Sequence, residues 1–315
     1  MKRYLILRPG AIGDAIVTLP TVQRLRAQEA ETEIHLVVGA AAAALLAGRC
    51  AAHVVESYEL PRWSGLFMSE MPAELRSFLQ GWEAIILYLS GHTAVAQRVA
   101  AACGARVIVW PPLPSAGTRV TVAWHLQGAL AELGLIPRAD PPCVILLADD
   151  IAFAERYWQE HGLPRSAGTP VIALHPGSGS ARKNWPAVRY AALATHLHQH
   201  YGAHILAVAG PADEAVVREM RHAWQNTPLT LAQNLTLPEV AALLARCHCF
   251  IGNDSGIAHL AAALGVPTVA LFGPTDPALW APAGPAVRIV SAPLAEITVA
   301  QVQAAAAALL HKVCI

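Results

Sequence analysis

Charged residues are scarce in this chain. They make up 14% of its 315 residues, and 22 basic side chains balance 22 acidic ones. Without net charge the chain lacks the electrostatic pull that draws proteins to nucleic acid or to an anionic bilayer, so nucleic acid is not an expected partner. Lysine is rarest, at Lys2, Lys183 and Lys312 alone. The six cysteines (Cys50, Cys103, Cys143, Cys247, Cys249 and Cys314) have no framework spacing. Cys247 and Cys249 sit close together in an apolar run with no second ligand pair nearby, which reads as buried thiols entering a strand rather than a metal site. Reduced thiols point to the cytosol. No apolar run has the length of a membrane span. The N-terminal run Tyr4 to Leu7 is cut by Arg8, which makes it a strand and not the core of a signal peptide.

What the sequence has in quantity is apolar side chains, at 55%, many of them alanine. The length suits two domains of ordinary size. Short β-type runs alternate with helical stretches throughout. Tyr4 to Leu7, Glu33 to Val38, Ala84 to Leu89 and Arg106 to Val109 are expected strands of the first half. Val171 to Leu174, Ala203 to Ala209, Cys249 to Ile251 and Thr268 to Phe272 are those of the second. Helices are expected over Asp14 to Gln28, Thr93 to Ala102, Val120 to Leu133, Pro186 to His200, Ala212 to Trp224, Leu237 to Ala245 and Ser255 to Leu264. Apolar strands alternating with helices imply parallel sheets covered on both faces, hence an α/β chain of two doubly wound, Rossmann-like domains facing a cleft. A segment rich in Pro, Gly and Ser, Gly162 to Thr169, is the expected linker, giving domains 1–161 and 162–315.

Four strand-to-helix turns carry polar residues where such sheets bind ligands. After the strand ending at Gly252 come Asn253, Asp254, Ser255 and Gly256, then a helix with His259 one turn on. Small residues there leave the first amides open to a diphosphate, although Asp254 or Ser255 could equally be an ordinary helix cap. After Leu174 comes His-Pro-Gly-Ser-Gly-Ser-Ala-Arg-Lys-Asn-Trp-Pro186. It lacks the third glycine of a dinucleotide fingerprint, which disfavours an NAD-dependent dehydrogenase, but it offers Ser178, Ser180, Arg182 and Lys183 as phosphate donors. The third turn, Val208 to Glu214, presents Asp213 and Glu214, either able to take ribose hydroxyls or to open a helix. The fourth, Leu7 to Pro20, holds Gly10, Gly13 and Asp14. Its glycines let backbone approach a ligand, and the carboxylate either caps its helix or takes a proton from an acceptor hydroxyl.

Together the four turns resemble glycosyltransferase family nine, the ADP-heptose:lipopolysaccharide heptosyltransferases. The matching residues are Gly13-Asp14 with Thr18-Leu19-Pro20, His175 with Lys183 before Trp185-Pro186, and Gly252 to Gly256 with His259 and Phe272-Gly-Pro-Thr275. The resemblance implies a GT-B fold and inverting transfer of a heptosyl group from ADP-heptose to a lipopolysaccharide core acceptor, with no metal and no cofactor. It implies Asp14 as catalytic base and Lys183 on the donor phosphates. Asp254, Ser255, Gly256 and His259 would surround the diphosphate-sugar, with Glu214 on the ribose and Ser178 and Ser180 assisting at the phosphates. It also allows the helix over Val299 to Lys312 to cross back to the first domain.

On the acceptor side Gly13, Arg62, Arg119 and His125 are the candidate contacts. Arg62 lies in Leu60 to Met68, a segment able either to touch a lipid-linked saccharide or the inner face of the inner membrane, or simply to pack under a loop. His196 and His200 are spaced for a metal pair but lack a carboxylate, so an exposed polar helix face is expected. Two other functions stay open: a GT-B enzyme with a different nucleotide-sugar donor or acceptor, a sugar-nucleotide epimerase among them, and a non-catalytic nucleotide-sugar binder.

Overall fold

The computed structural model describes residues 1–28, 31–91, 93–165, 168–224 and 228–310. The chain divides into two units, Met1–Val144 and Ile145–Ile315. This division precedes the helix Ala148–Glu160, whereas the composition-based boundary follows it. That helix packs on Leu237–Leu244 of the second unit, which is why it belongs there. Part of the expected linker, at 166–167, and the end of the expected final helix, with Lys312 and Cys314, lie outside the described residues.

The first unit is a five-stranded parallel sheet of β1 (Lys2–Leu7), β2 (Thr32–Val38), β3 (Val54–Ser57), β4 (Ala84–Tyr88) and β5 (Arg106–Trp110), in the order β3-β2-β1-β4-β5. The second is a six-stranded parallel sheet of β6 (Val171–His175), β7 (His204–Ala209), β8 (Leu229–Gln233), β9 (Cys249–Asn253), β10 (Thr268–Phe272) and β11 (Val287–Ser291), in the order β11-β10-β9-β6-β7-β8. Both orders reverse direction once, beside β1 and beside β6, as in doubly wound sheets. The crevice at such a switch point, at the carboxyl ends of the strands, is where ligands bind.

The central strands β4, β6, β9 and β10 are buried at every position. Helices on both faces bury such apolar strands, and the parallel arrangement follows. Three strands that the apolar runs did not announce, β3, β8 and β11, all stand at sheet edges and are only partly buried. The expected helix over Val120 to Leu133 is instead a helix Val122–Gln127 followed by a 3-10 turn Gly128–Leu133. Trp110 packs so closely on Gly128 that a Cβ there would stand 2.4 Å from its ring. The final helix, Val299–Leu310, packs on Ala187–Tyr201 and on β9, β10 and β11.

Candidate functional site

In the second unit four loops leave the carboxyl ends of adjacent strands, and the polar residues singled out in the sequence lie on them. The loop after β6 ends in a 3-10 turn, Ala181–Lys183. From it Lys183 Nζ donates to Asp254 Oδ2 at 2.7 Å, across the switch point to the loop after β9. Thr275, on the loop after β10, donates its hydroxyl to the same oxygen at 2.7 Å. Asp254 is buried while the Lys183 side chain is 31% exposed, so the ammonium faces both the carboxylate and solvent.

Asn253 fixes this arrangement. It is fully buried at the end of β9, and its Oδ1 accepts the Trp185 backbone N–H and the Tyr190 hydroxyl, both at 3.0 Å. Its Nδ2 donates to the carbonyls of Pro176 at 2.8 Å and Gly177 at 3.2 Å. One amide thus ties both ends of the loop that carries Lys183 to the strand that carries Asp254. A buried amide with its donors and acceptors all used holds one geometry, since any shift strands a polar group. Ser178 serves the loop itself: its hydroxyl lies 2.7 Å from the Ser180 carbonyl and 2.6 Å from Asn184 Oδ1, and it accepts the Ser180 N–H at 3.3 Å.

Ser255 caps the helix Gly256–Ala263, its hydroxyl accepting the Ala258 N–H at 3.3 Å. The amides of Gly256 and Ile257 fall in the first turn, where a helix offers no internal acceptor and its dipole is positive. His259 is buried on this helix one turn on.

The two acids after β7 part company. Asp213 is buried, accepts the Gly210 N–H at 2.8 Å and has Oδ2 4.0 Å from His175 Nδ1. His175, at the end of β6, is also 3.0 Å from the Val208 carbonyl. Its burial pushes the imidazole pKa below the usual value, against the opposing pull of that carbonyl and of Asp213. Glu214 is exposed at the start of the helix Glu214–Ala223, and it lines a groove of about 470 Å³ with Arg218, Arg221, His222 and Gln233.

In the first unit Asp14 sits in the first turn of the helix Ile12–Gln28, after β1. Its Oδ1 accepts from Arg8 Nη2 at 2.6 Å and its Oδ2 from the Ala11 N–H at 2.9 Å. Gly10 adopts φ +144°, and a Cβ there would stand 2.6 Å from Asp14 Oδ2, so only glycine lets the turn close over the carboxylate. Arg8 is 5% exposed, and its Nε has no hydrogen-bond partner among the described residues. Burial draws its pKa down, while Asp14 and the nearby Tyr88 hold it up. Gly13 precedes Asp14 on the same helix turn. His125 lies 2.9 Å from the Pro111 carbonyl with its ring against Trp110, and Arg119 is exposed on the preceding loop. Arg62 pairs with Glu56 and lies over the rings of Trp63 and Phe78, so its guanidinium packs within its own unit.

The structure thus brings Lys183, Asp254, Ser255 and Gly256 together and sets Asp14 on a buried arginine. Sequence reading places Asn253 and Thr275 inside the segments that carry the resemblance but gives neither a role, and it does not link Arg8 to Asp14. His196 and His200 stack on each other at 3.7 Å, and among the described residues no group of three or more His, Cys, Asp or Glu could hold a metal. Cys247 and Cys249 are free and buried, and burial pushes the Cys249 thiol up to about 12. No helix of the described residues is long and apolar enough to cross a membrane.

The chain is 36% identical over 112 residues to lipopolysaccharide heptosyltransferase 3 of Escherichia coli, covering 35% of this chain and 33% of that protein. It therefore spans about a third of the length of the first curated relatives that it matches. A glycosyltransferase family 9 structure from Veillonella parvula superposes with a TM-score of 0.84 at 20% identity, covering 99% of this chain and 97% of the other. The structure of E. coli ADP-heptose lps heptosyltransferase II does so with a TM-score of 0.78 at 21% identity, covering 99% of each chain. These likenesses show a shared GT-B fold of two parallel-sheet domains. The sequence model of glycosyltransferase family 9 (heptosyltransferase) matches residues 146–306, more than half of the chain, and the chain belongs to that family.

Proposed function

We propose that this protein transfers a heptosyl group from ADP-heptose to a saccharide of a lipopolysaccharide core, inverting the anomeric carbon in one displacement without a metal ion. The observation that carries this reading is the Lys183–Asp254 ion pair at the switch point of the second sheet, beside the open first turn of the helix Gly256–Ala263. In this reading Lys183 turns from Asp254 to the donor's diphosphate, and the amides of Gly256 and Ile257 take its other oxygens. As the bond from the anomeric carbon to the diphosphate breaks, negative charge grows on the departing ADP. An ammonium and fixed amides stabilise that charge without reorganising. Asp254, Ser255 and His259 border the sugar, Ser178 and Ser180 brace the phosphate loop, and Glu214 takes ribose hydroxyls.

Asp14 takes the proton from the attacking acceptor hydroxyl. Arg8 and the Ala11 amide hold the carboxylate in one orientation while it does so. Gly13, Arg62, Arg119 and His125 contact the acceptor, which is lipid-linked and met at the inner face of the inner membrane by a protein working in the cytoplasm.

The test is transfer from ADP-heptose to heptose-deficient core lipopolysaccharide, read as ADP release and product mass. Asp14→Asn is expected to lower kcat by roughly 100-fold or more and to leave calorimetric donor affinity nearly unchanged. Unfolding curves of this variant and of Asp14→Glu, run in parallel, separate loss of chemistry from the cost of leaving Arg8 unpaired. Full activity in Asp14→Asn would remove Asp14 from its role. Tighter binding of another nucleotide sugar would name a different donor, and tight donor binding with neither transfer nor donor hydrolysis would make the chain a binder only.

A further inference from the structure

At the amino ends of β6 and β9, the opposite end of the second sheet from Lys183, lies a cavity of about 450 Å³. Arg165, Arg246, Glu155 and His248 bring its polar groups, and Trp158, Pro164 and Val171 complete its wall. Glu155 receives both guanidinium groups: one oxygen takes Arg165, and the other takes Arg246 Nη1 at 2.6 Å. The Arg246 guanidinium also lies over the Trp158 ring, 5.1 Å from its centroid, which holds it at the cavity wall. Two cations therefore share one carboxylate, and a net positive charge faces the cavity. Each guanidinium spends one nitrogen on Glu155, so most of its donors stay available.

His248 adds a neutral donor. Its Nδ1 accepts the Val171 backbone N–H at 3.1 Å, which requires Nδ1 to be unprotonated. In the neutral imidazole the proton is then on Nε2, and the ring is a donor at that edge. Two arginines and an imidazole N–H around one cavity form a donor set suited to an oxyanion, and guanidinium forks match phosphate and carboxylate in particular.

We propose that this cavity is a second anion site, binding a small multivalent oxyanion of the phosphate or polycarboxylate class, separate from the donor site. The ligand bridges Arg165, on the segment leading into β6, to Arg246, on the turn leading into β9. The proposal does not depend on the transfer reaction.

The test is calorimetric titration of inorganic phosphate, and separately of citrate, at constant ionic strength. It uses the full chain, Lys183→Gln to silence the donor site, and Lys183→Gln combined with Arg165→Gln or with Arg246→Gln. Phosphate or citrate is expected to bind Lys183→Gln, and each added arginine change is expected to weaken that binding about tenfold or more. Arg165→Gln, an exposed position, keeps the test open should Arg246→Gln unfold. Arg165→Gln in the otherwise unchanged chain should leave ADP affinity unaltered. Binding by phosphate alone, or by citrate alone, assigns the site to that class. Absence of binding to Lys183→Gln, or binding indifferent to both arginine changes, overturns the proposal.

Discussion

A Cβ added to Gly177 would stand 1.7 Å from Oδ1 of Asp213. The loop that carries Lys183 therefore lies directly on the carboxylate that follows β7, and that carboxylate is held from behind by the Gly210 amide. Gly177→Ala is expected to destabilise the fold by about 1–3 kcal/mol, as overpacking does, and to weaken ADP binding because the loop must lift. Combining it with Asp213→Ala should restore part of both losses. A double-mutant cycle by urea unfolding and calorimetry checks this, and strictly additive effects would refute the contact.

Asn253 makes four hydrogen bonds inside a fully buried site. Asn253→Ala would strand the Trp185 amide, the Tyr190 hydroxyl and two carbonyls. A cost of about 3 kcal/mol or more is expected, since each unsatisfied buried group costs about 1–3 kcal/mol. Chemical denaturation measures it, and a cost under about 1 kcal/mol, ordinary for a surface change, would mean that the loop is held by other contacts.

Lys183→Gln removes the ammonium but keeps a polar side chain of similar reach. Its ADP dissociation constant is expected to rise about tenfold or more, as for a lost charge-assisted hydrogen bond. Stability should fall by only about 1 kcal/mol, because the lysine side is partly exposed. Unchanged ADP affinity would exclude Lys183 from the phosphate contacts.

His175 predicts a pH dependence. Burial lowers its pKa in the folded protein below the usual 6.5, so below that pH the unfolded chain binds a proton that the native state does not. Its contribution to stability is therefore complete above pH 6.5 and declines as pH falls from there toward the folded-state pKa, at up to about 1.4 kcal/mol per pH unit. His175→Gln, whatever its cost at pH 8, should flatten the stability profile between pH 6.5 and about 5. Melts across that range in both proteins decide it, and parallel profiles would assign the slope to other groups, such as His204, whose pKa burial also lowers.

Most strands readable from sequence are covered on both faces, although the edge strand β5, buried only at Ile108, was legible as well. β4, β6, β9 and β10 are buried throughout and apolar except at ends such as His175, Asn253 and Thr268, because helices pack on each side. β11 is partly exposed along its whole length, so Val287 and Arg288 alternate without a signal that exceeds a loop's. The break at Gly128 was equally silent, because its cause, the Trp110 ring, is distant in sequence. At the site, the residue types and order of Asn253 to Gly256 marked the strand-to-helix turn, and Lys183 stood out as a rare lysine in a glycine-serine loop. Nothing in the sequence assigns Asn253 its four partners, nor tells that Arg8 is buried beneath Asp14. Both facts come from tertiary packing, which no local pattern records.

The pairing of Lys183 with Asp254 has a kinetic corollary once donor binding is accepted. An incoming diphosphate competes with a resident counter-ion instead of meeting a bare ammonium, so part of the electrostatic gain goes into exchanging one anion for another. When the sugar has gone, Asp254 stands 2.7 Å from the ammonium's resting position, ready to take it back as ADP departs. On the proposed function, the same contact would moderate donor affinity and hasten turnover.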